Sequence, residues 1–289
     1  MRSGARVMIV GVATLLLAGL AMSWLAGSAM SRGQATPVPP AIAPATDLRI
    51  RTSDGLTLAA TYRPGARDDS PAVLLLHGVG ASRAAMADNA AWLSRQGYAT
   101  LAIDFRGHGG SSVTPRSFGL YEARDARAAF DWLKRRQHGA RVAILGISLG
   151  GAASLIGEDG PIAADALVLQ AVYPDIRHAI RNRIATLTGR PIATLLEPLL
   201  SLQSRLRFGV WPGRLSPIDA VARYPGPVLV IGGVGDRATP PDETRALHAA
   251  APGRRGLWLA PSGDHGEVCG LDDDVYRTRL LDFLRATIG

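Results

Sequence analysis

The sequence predicts an α/β fold: a doubly wound, mostly parallel sheet, with an apolar N-terminal helix and a helical cap insertion. Three observations carry this. Short runs rich in Val, Ile and Leu alternate along the chain with helical stretches, the order expected of a parallel sheet covered on both faces. Most of these runs end in a polar or glycine-rich turn. Hydrophobic residues make up 47% of the 289 positions and charged residues 19%, enough for one sizeable core.

Val7 through Ser31 contains no charged residue and follows Arg2 and Arg6. About 20 apolar residues span a bilayer, whereas the apolar part of a signal peptide is about 7 to 15 long. Residues 7–30 are therefore expected to be an uncleaved transmembrane anchor. Gly27-Ser28-Ala29 and Ala29-Met30-Ser31 offer the alternative of small-residue cleavage sites. The positive charges put residues 1–6 in the cytoplasm and the domain outside, periplasmic or extracellular, or secreted after cleavage. Gly11, Gly19, Ser23 and Gly27 share one helix face, leaving room for a second anchor to pack closely. Pro37, Pro39, Pro40 and Pro44 mark residues 31–46 as an extended linker. Residues 47–289 form the domain.

The domain opens on a hairpin, with Leu48–Arg51 and Leu56–Tyr62 flanking Ser53-Asp54-Gly55. Buried strands follow at Ala72–Leu76, Tyr98–Ile103, Arg141–Leu145, Ala166–Tyr173, Gly226–Gly233 and Gly256–Ala260. Helices are expected at Ala84–Gln96, Tyr121–Arg136, Asp242–Ala250 and Val275–Ala286. In the second of these, Ala123, Ala126, Phe130 and Leu133 recur at helical spacing.

The chemistry is announced by Gly146-Ile147-Ser148-Leu149-Gly150, straight after the strand Arg141–Leu145. Glycines on either side of a serine permit a strained strand-to-helix turn that pushes the hydroxyl out of the sheet. A serine hydroxyl needs a base to take its proton, and the base needs a third group to orient it. Downstream, Asp236 and then His265 each lie just past an apolar strand, on the edge where open parallel sheets bind ligands. The His77-Gly78-Val79-Gly80 loop lends a main-chain N–H to an oxyanion, with Leu149 N–H as the second donor.

His77-Gly78, Asp104-Phe105-Arg106-Gly107-His108-Gly109, the Ser148 elbow, the Asp236 turn with Pro240, and Gly263-Asp264-His265-Gly266 together resemble the α/β-hydrolase superfamily. The likeness is to its esterase, lipase and serine-aminopeptidase-like branch. It implies an α/β-hydrolase fold over residues 47–289, with Ser148 as nucleophile, His265 as general base and Asp236 as the acid. Val79 and Leu149 would supply the oxyanion amides. Asp175, after the strand ending at Tyr173, is the rival acid, because some members of this fold place it there. His77 and His108 read as supports of their loops. Dehalogenases and epoxide hydrolases of this fold use an aspartate nucleophile, so a serine leaves acyl chemistry.

The function expected is hydrolysis of a carboxylic ester or related acyl compound through an acyl-enzyme. Acyl transfer and peptide cleavage by the same residues are the alternatives, and a catalytically silent membrane-tethered binding protein is the alternative of another class. No metal is expected, since no histidines show ligand spacing, and no other cofactor is needed. The formal charge of +8 does not mark a nucleic-acid binder: the base is almost all Arg, Lys134 is the sole lysine, and no recognition motif appears. Cys269 is the only cysteine and reads as a small packing residue. The cap is expected at about residues 176–216. That segment holds seven arginines against Glu197 alone, a formal +6, together with Ile192, Leu195, Leu196, Leu199, Leu200 and Leu202. Either these leucines pack on the core, or the cap rests weakly on anionic headgroups.

Overall fold

The computed structural model describes residues 2–261 and 264–289; Met1, and the Ser262-Gly263 portion of the turn before His265, lie outside the described residues. In chain order the elements are α1 (Arg2–Ser31), β1 (Thr46–Arg51), β2 (Thr57–Arg63), β3 (Ala72–Leu76), α2 (Ala87–Arg95), β4 (Ala99–Ile103) and α3 (Glu122–Arg136). Then come β5 (Val142–Ile147), α4 (Leu149–Leu155), β6 (Ala166–Gln170), α5 (Ile176–Thr188), α6 (Arg190–Ser201), α7 (Gln203–Phe208) and α8 (Pro217–Val221). The chain closes with β7 (Val228–Gly233), α9 (Pro241–Ala250), β8 (Arg255–Ala260), α10 (His265–Cys269) and α11 (Asp274–Thr287).

The strands form one sheet in the order β1-β2-β4-β3-β5-β6-β7-β8. The β1–β2 hairpin is antiparallel and joins β4 antiparallel, while every pair from β4 to β8 is parallel. Strand pleating sends alternate residues to opposite faces. Leu74 and Leu76 of β3 pack with Phe130 and Leu133 of α3; Val73 and Leu75 pack with Leu93 of α2 and Leu280 of α11. Burying each such leucine stabilises the fold by about 1.5–3 kcal/mol.

This order positions the site. Because β3 lies beside β5 with Leu76 opposite Gly146, the loop after β3 and the elbow after β5 emerge together. Because β7 lies beside β8 with Gly233 opposite Ala260, the Asp236 and His265 turns emerge together.

Three local expectations shift. The strand expected to reach Tyr173 stops at Gln170, where Ala171 turns to φ 52°. The helix expected from Ala84 starts at Ala87, after a short 3-10 turn at Arg83–Met86 that Ser82 caps. The linker does not hang free at its start: Gln34 N donates to Gly107 O at 3.0 Å and Thr36 N to Gly109 O at 3.0 Å.

Residues 176–216 comprise α5, α6, α7 and a 3-10 turn at Pro212–Arg214, an all-helical insertion between β6 and β7. Of its leucines, Leu200 packs against the core, while Leu195 at 75% and Leu206 at 78% exposure face outward.

Candidate active site

Ser148 sits between β5 and α4 with φ 49° and ψ −109°, a region a residue with a Cβ occupies only when the surroundings force it. The force is steric. A Cβ on Gly146 would meet Gly151 N at 2.5 Å, and one on Gly150 would overlap the Leu76 carbonyl oxygen. Only glycine allows the helix to start this close to the strand. The Ser148 N–H donates to Gln170 O at 2.8 Å, which locks the elbow to β6.

Ser148 faces a cavity of about 250 Å³ lined by Val79, Leu149, Phe118, Tyr173, Ile180 and others. Val79 and Leu149, the expected oxyanion residues, are thus in the same cavity as the serine. The loop carrying Val79 is held by two histidines. His77 Nε2 accepts from Phe105 N at 3.1 Å, which leaves Nδ1 to donate to Gly78 O at 2.7 Å. His108 Nε2 accepts from Gly80 N at 3.1 Å, and its Nδ1 donates to Arg106 O at 3.0 Å. Burial, and then the neighbouring His108, pull the His77 pKa down to about 4; burial also lowers His108. Both rings are neutral near pH 7 and each bridges the two loops as donor and acceptor.

Asp236 follows β7 and is buried. Its Oδ1 accepts from Ala238 N at 2.8 Å and Thr239 N at 2.9 Å, and its Oδ2 accepts from Thr239 Oγ1 at 2.5 Å. His265 opens α10, and its Nδ1 donates to Asp236 Oδ2 at 2.7 Å. Burial pushes the Asp236 carboxyl up, but hydrogen bonds from His265 and Thr239 outweigh it and hold the group below its usual range. Burial disfavours the His265 imidazolium, yet the Asp236 hydrogen bond and contact with the Cys269 sulfur together push its pKa up to about 9. Asp175 is engaged elsewhere: it caps α5, accepting from His178 N at 2.9 Å and His178 Nδ1 at 2.7 Å. Cys269 is half-buried, packs against the core and interacts with His265.

Further polar contacts hold these loops and helices to the sheet. Gln170, at the end of β6, donates from Nε2 to Val268 O at 2.6 Å and accepts from Tyr276 OH at 3.0 Å, tying α10 to the sheet. Arg106 grips Asp125 through its main-chain N–H and guanidinium, the latter at 2.7 Å, and reaches Asp54 at 2.7 Å. Only a buried polar residue inside an apolar run signals Gln170 in advance. Met30, from the far N-terminus, also lines the Ser148 cavity, and no local pattern points to it. Among the described residues, no cluster of three or more His, Cys, Asp or Glu is placed to hold a metal ion.

The family described as serine aminopeptidase, S33, matches residues 68–209. The uncharacterized protein Rv2307c of Mycobacterium tuberculosis is 32% identical over 259 residues, covering 88% of this chain and 85% of that protein. Among solved structures, the Pyrococcus furiosus esterase Pf2001 superposes with a TM-score of 0.69 at 18% identity, covering 90% of this chain and 98% of that one. An acetyl xylan esterase from Paenibacillus sp. R4 gives 0.64 at 17% identity, covering 92% and 93%. With its parallel sheet, strained serine elbow and this kinship, the chain belongs to the α/β-hydrolase superfamily, in the serine aminopeptidase S33-like branch.

Proposed function

We propose that the protein is a membrane-anchored serine esterase whose domain faces away from the cytoplasm. The observation that carries this is the strained Ser148 opening onto an apolar cavity, at the sheet edge where Asp236 orients His265. Ser148 Oγ attacks the ester carbonyl carbon as His265 Nε2 takes its proton. The tetrahedral oxyanion accepts hydrogen bonds from Val79 N and Leu149 N. The imidazolium, stabilised by Asp236, returns its proton to the departing alcohol, leaving the acyl group on Ser148. Water, deprotonated by the same histidine, then attacks the acyl-enzyme and releases the acid. Every step uses the chain's own groups and water.

The cavity lining supports an acyl group over an amino-terminal peptide. An aminopeptidase must bind an ammonium, for which a carboxylate is the natural partner. The described residues lining this cavity include Arg183 and no Asp or Glu. The anchor reading is supported by α1, whose Val10–Ser31 stretch is long and apolar enough to cross a membrane. The outward leucines and the arginines of the cap support contact with anionic headgroups.

A fluorophosphonate probe should label Ser148 in the full-length protein, and Ser148→Ala should lose both labelling and ester turnover, the latter by about 10⁴-fold or more. Substantial turnover by a folded Ser148→Ala variant overturns the assignment. Faster release of aminoacyl arylamides than of esters overturns the substrate class.

A further inference from the structure

The helix α1 is exposed on all described sides up to Met22, and from Ser23 onward one face is covered. Its cover is the cap. Ser23 Oγ donates to Leu199 O at 2.8 Å, and Gln203 Nε2 donates to Ser23 O at 3.0 Å. Arg207 lies 3.9 Å from the centre of the Trp24 ring and donates to Trp24 O at 2.8 Å and Ser28 Oγ at 2.9 Å. A Cβ on Gly27 would overlap the Gln203 side chain, so the small residues Ser23 and Gly27 make room for the cap itself. Beyond, Arg116 N donates to Ser31 O at 2.8 Å and fixes the helix end.

This docking brings Met30 into the cavity that Ser148 faces. Met30, Phe118, Ile176 and Ile180 also line a second, smaller cavity of about 30 Å³, which runs between α1 and the cap helices past Gly27 and Phe208. The two apolar spaces share these four side chains as walls, so they lie side by side between Ser148 and the α1–cap seam.

On the anchor reading, the seam begins where α1 leaves the hydrocarbon layer. Residues 7–24 of α1 are about 27 Å long at 1.5 Å per residue, close to the thickness of the hydrocarbon layer. Trp24 beside Arg207 is the aromatic-and-cation pair that suits the headgroup level. Met30 then stands about 9 Å further along the helix axis, within reach of a chain rising from the outer leaflet. Leu195 and Leu206 on the cap also face outward, as a surface resting on a bilayer requires.

We propose that the last two turns of α1 are a wall of the acyl site, and that the substrate is a long-chain acyl lipid reaching Ser148 from the membrane along the α1–cap seam. The proposal rests on Ser148 being the acyl-accepting nucleophile, and the anchor then determines specificity as well as location.

The test uses the full-length protein in phosphatidylcholine vesicles, reacted with ethyl and hexadecyl fluorophosphonates. The rate of Ser148 labelling reads access to the serine without requiring turnover, and the ethyl probe reports in each variant whether the elbow is intact. The wild type should label faster with the hexadecyl probe. Met30→Trp, which overfills the path, should cut the hexadecyl-to-ethyl ratio by about ten-fold or more. Gly27→Leu, which forces α1 away from Gln203, should cut it as well. A ratio unchanged in both variants, or a wild type indifferent to chain length, overturns the seam. A wild-type Ser148 that neither probe labels overturns the nucleophile reading itself, and this inference with it.

Discussion

Asp236 accepts the Nδ1–H of His265 at 2.7 Å while Thr239 and Ala238 fill its remaining acceptor positions. A carboxylate so occupied cannot swing away, so the imidazole is held through its Nδ1–H in one tautomer. Asp175, at the end of a different strand, spends its oxygens on the first turn of α5.

The two aspartates should therefore separate cleanly on mutation. Asp236→Asn offers His265 an amide in place of a carboxylate, and turnover should fall by roughly 10⁴-fold, as in other enzymes with this arrangement. Asp175→Asn keeps a capping side chain, and activity should stay within a few fold. Steady-state kinetics on both variants, with circular dichroism to confirm folding, decide the matter. A larger loss from Asp175→Asn would move the acid to the other strand.

The pH profile follows from His265. Its pKa, pushed up to about 9, means the imidazolium dominates at pH 7, whereas proton abstraction requires the neutral ring. The value of kcat/KM should climb with pH through a midpoint near pH 9, later than the neutral-range rise an unperturbed histidine gives. The sign for stability is opposite. A pKa raised above the unfolded value of 6.5 contributes stability that is complete below 6.5 and is lost as pH rises through about 9. Removing the anion in Asp236→Asn should return the midpoint toward 6.5, which an NMR titration of the ring reads even where turnover is lost. A wild-type profile that plateaus by pH 7 would show that Asp236 and Cys269 do not hold the proton as the geometry implies.

Much of this was legible in the chain because the determinants are local. The run Arg141–Leu145 followed by Gly146-Ile147-Ser148-Leu149-Gly150 specifies a buried strand and a turn that only glycines permit. Asp236 and His265 could be picked out because each follows a strand, and parallel neighbours place successive strand ends together. What stayed hidden depends on distant contacts. Nothing around Met30 says that it shares a cavity with a serine more than a hundred residues away. The small-residue face of α1 reads as a surface for a second helix, and only the packed structure shows that Ser23 and Gly27 on it lie against the cap. Gln170, lying in an apolar strand, gains meaning only when Val268 and Tyr276 come to it.

Arg106 and Asp125 supply the last prediction, one of stability. The guanidinium donates to Asp125 from Nε at 3.0 Å and Nη2 at 2.7 Å, and turns its remaining nitrogen to Asp54 at 2.7 Å. Both members of the main pair are buried. Burial disfavours the charged arginine, but its hydrogen bonds to Asp125 and Asp54 outweigh that and raise its pKa, so it stays ionised. The loop from Asp104 to Gly110 is held by this pair at Arg106 and by Arg83 at Asp104, and His77 and His108 tie the Val79 loop to it. Arg106→Met leaves Asp125 without its counter-charge, and breaking one side of a buried pair costs about 3–5 kcal/mol. The double variant Arg106→Met with Asp125→Leu removes both charges and should recover much of that loss. Chemical denaturation of the wild type, each single variant (Arg106→Met and Asp125→Leu) and the double variant closes the cycle. If the single variant Arg106→Met loses less than about 1 kcal/mol, the pair is not what holds the two loops, and the histidines with the buried Arg83–Asp104 pair do so.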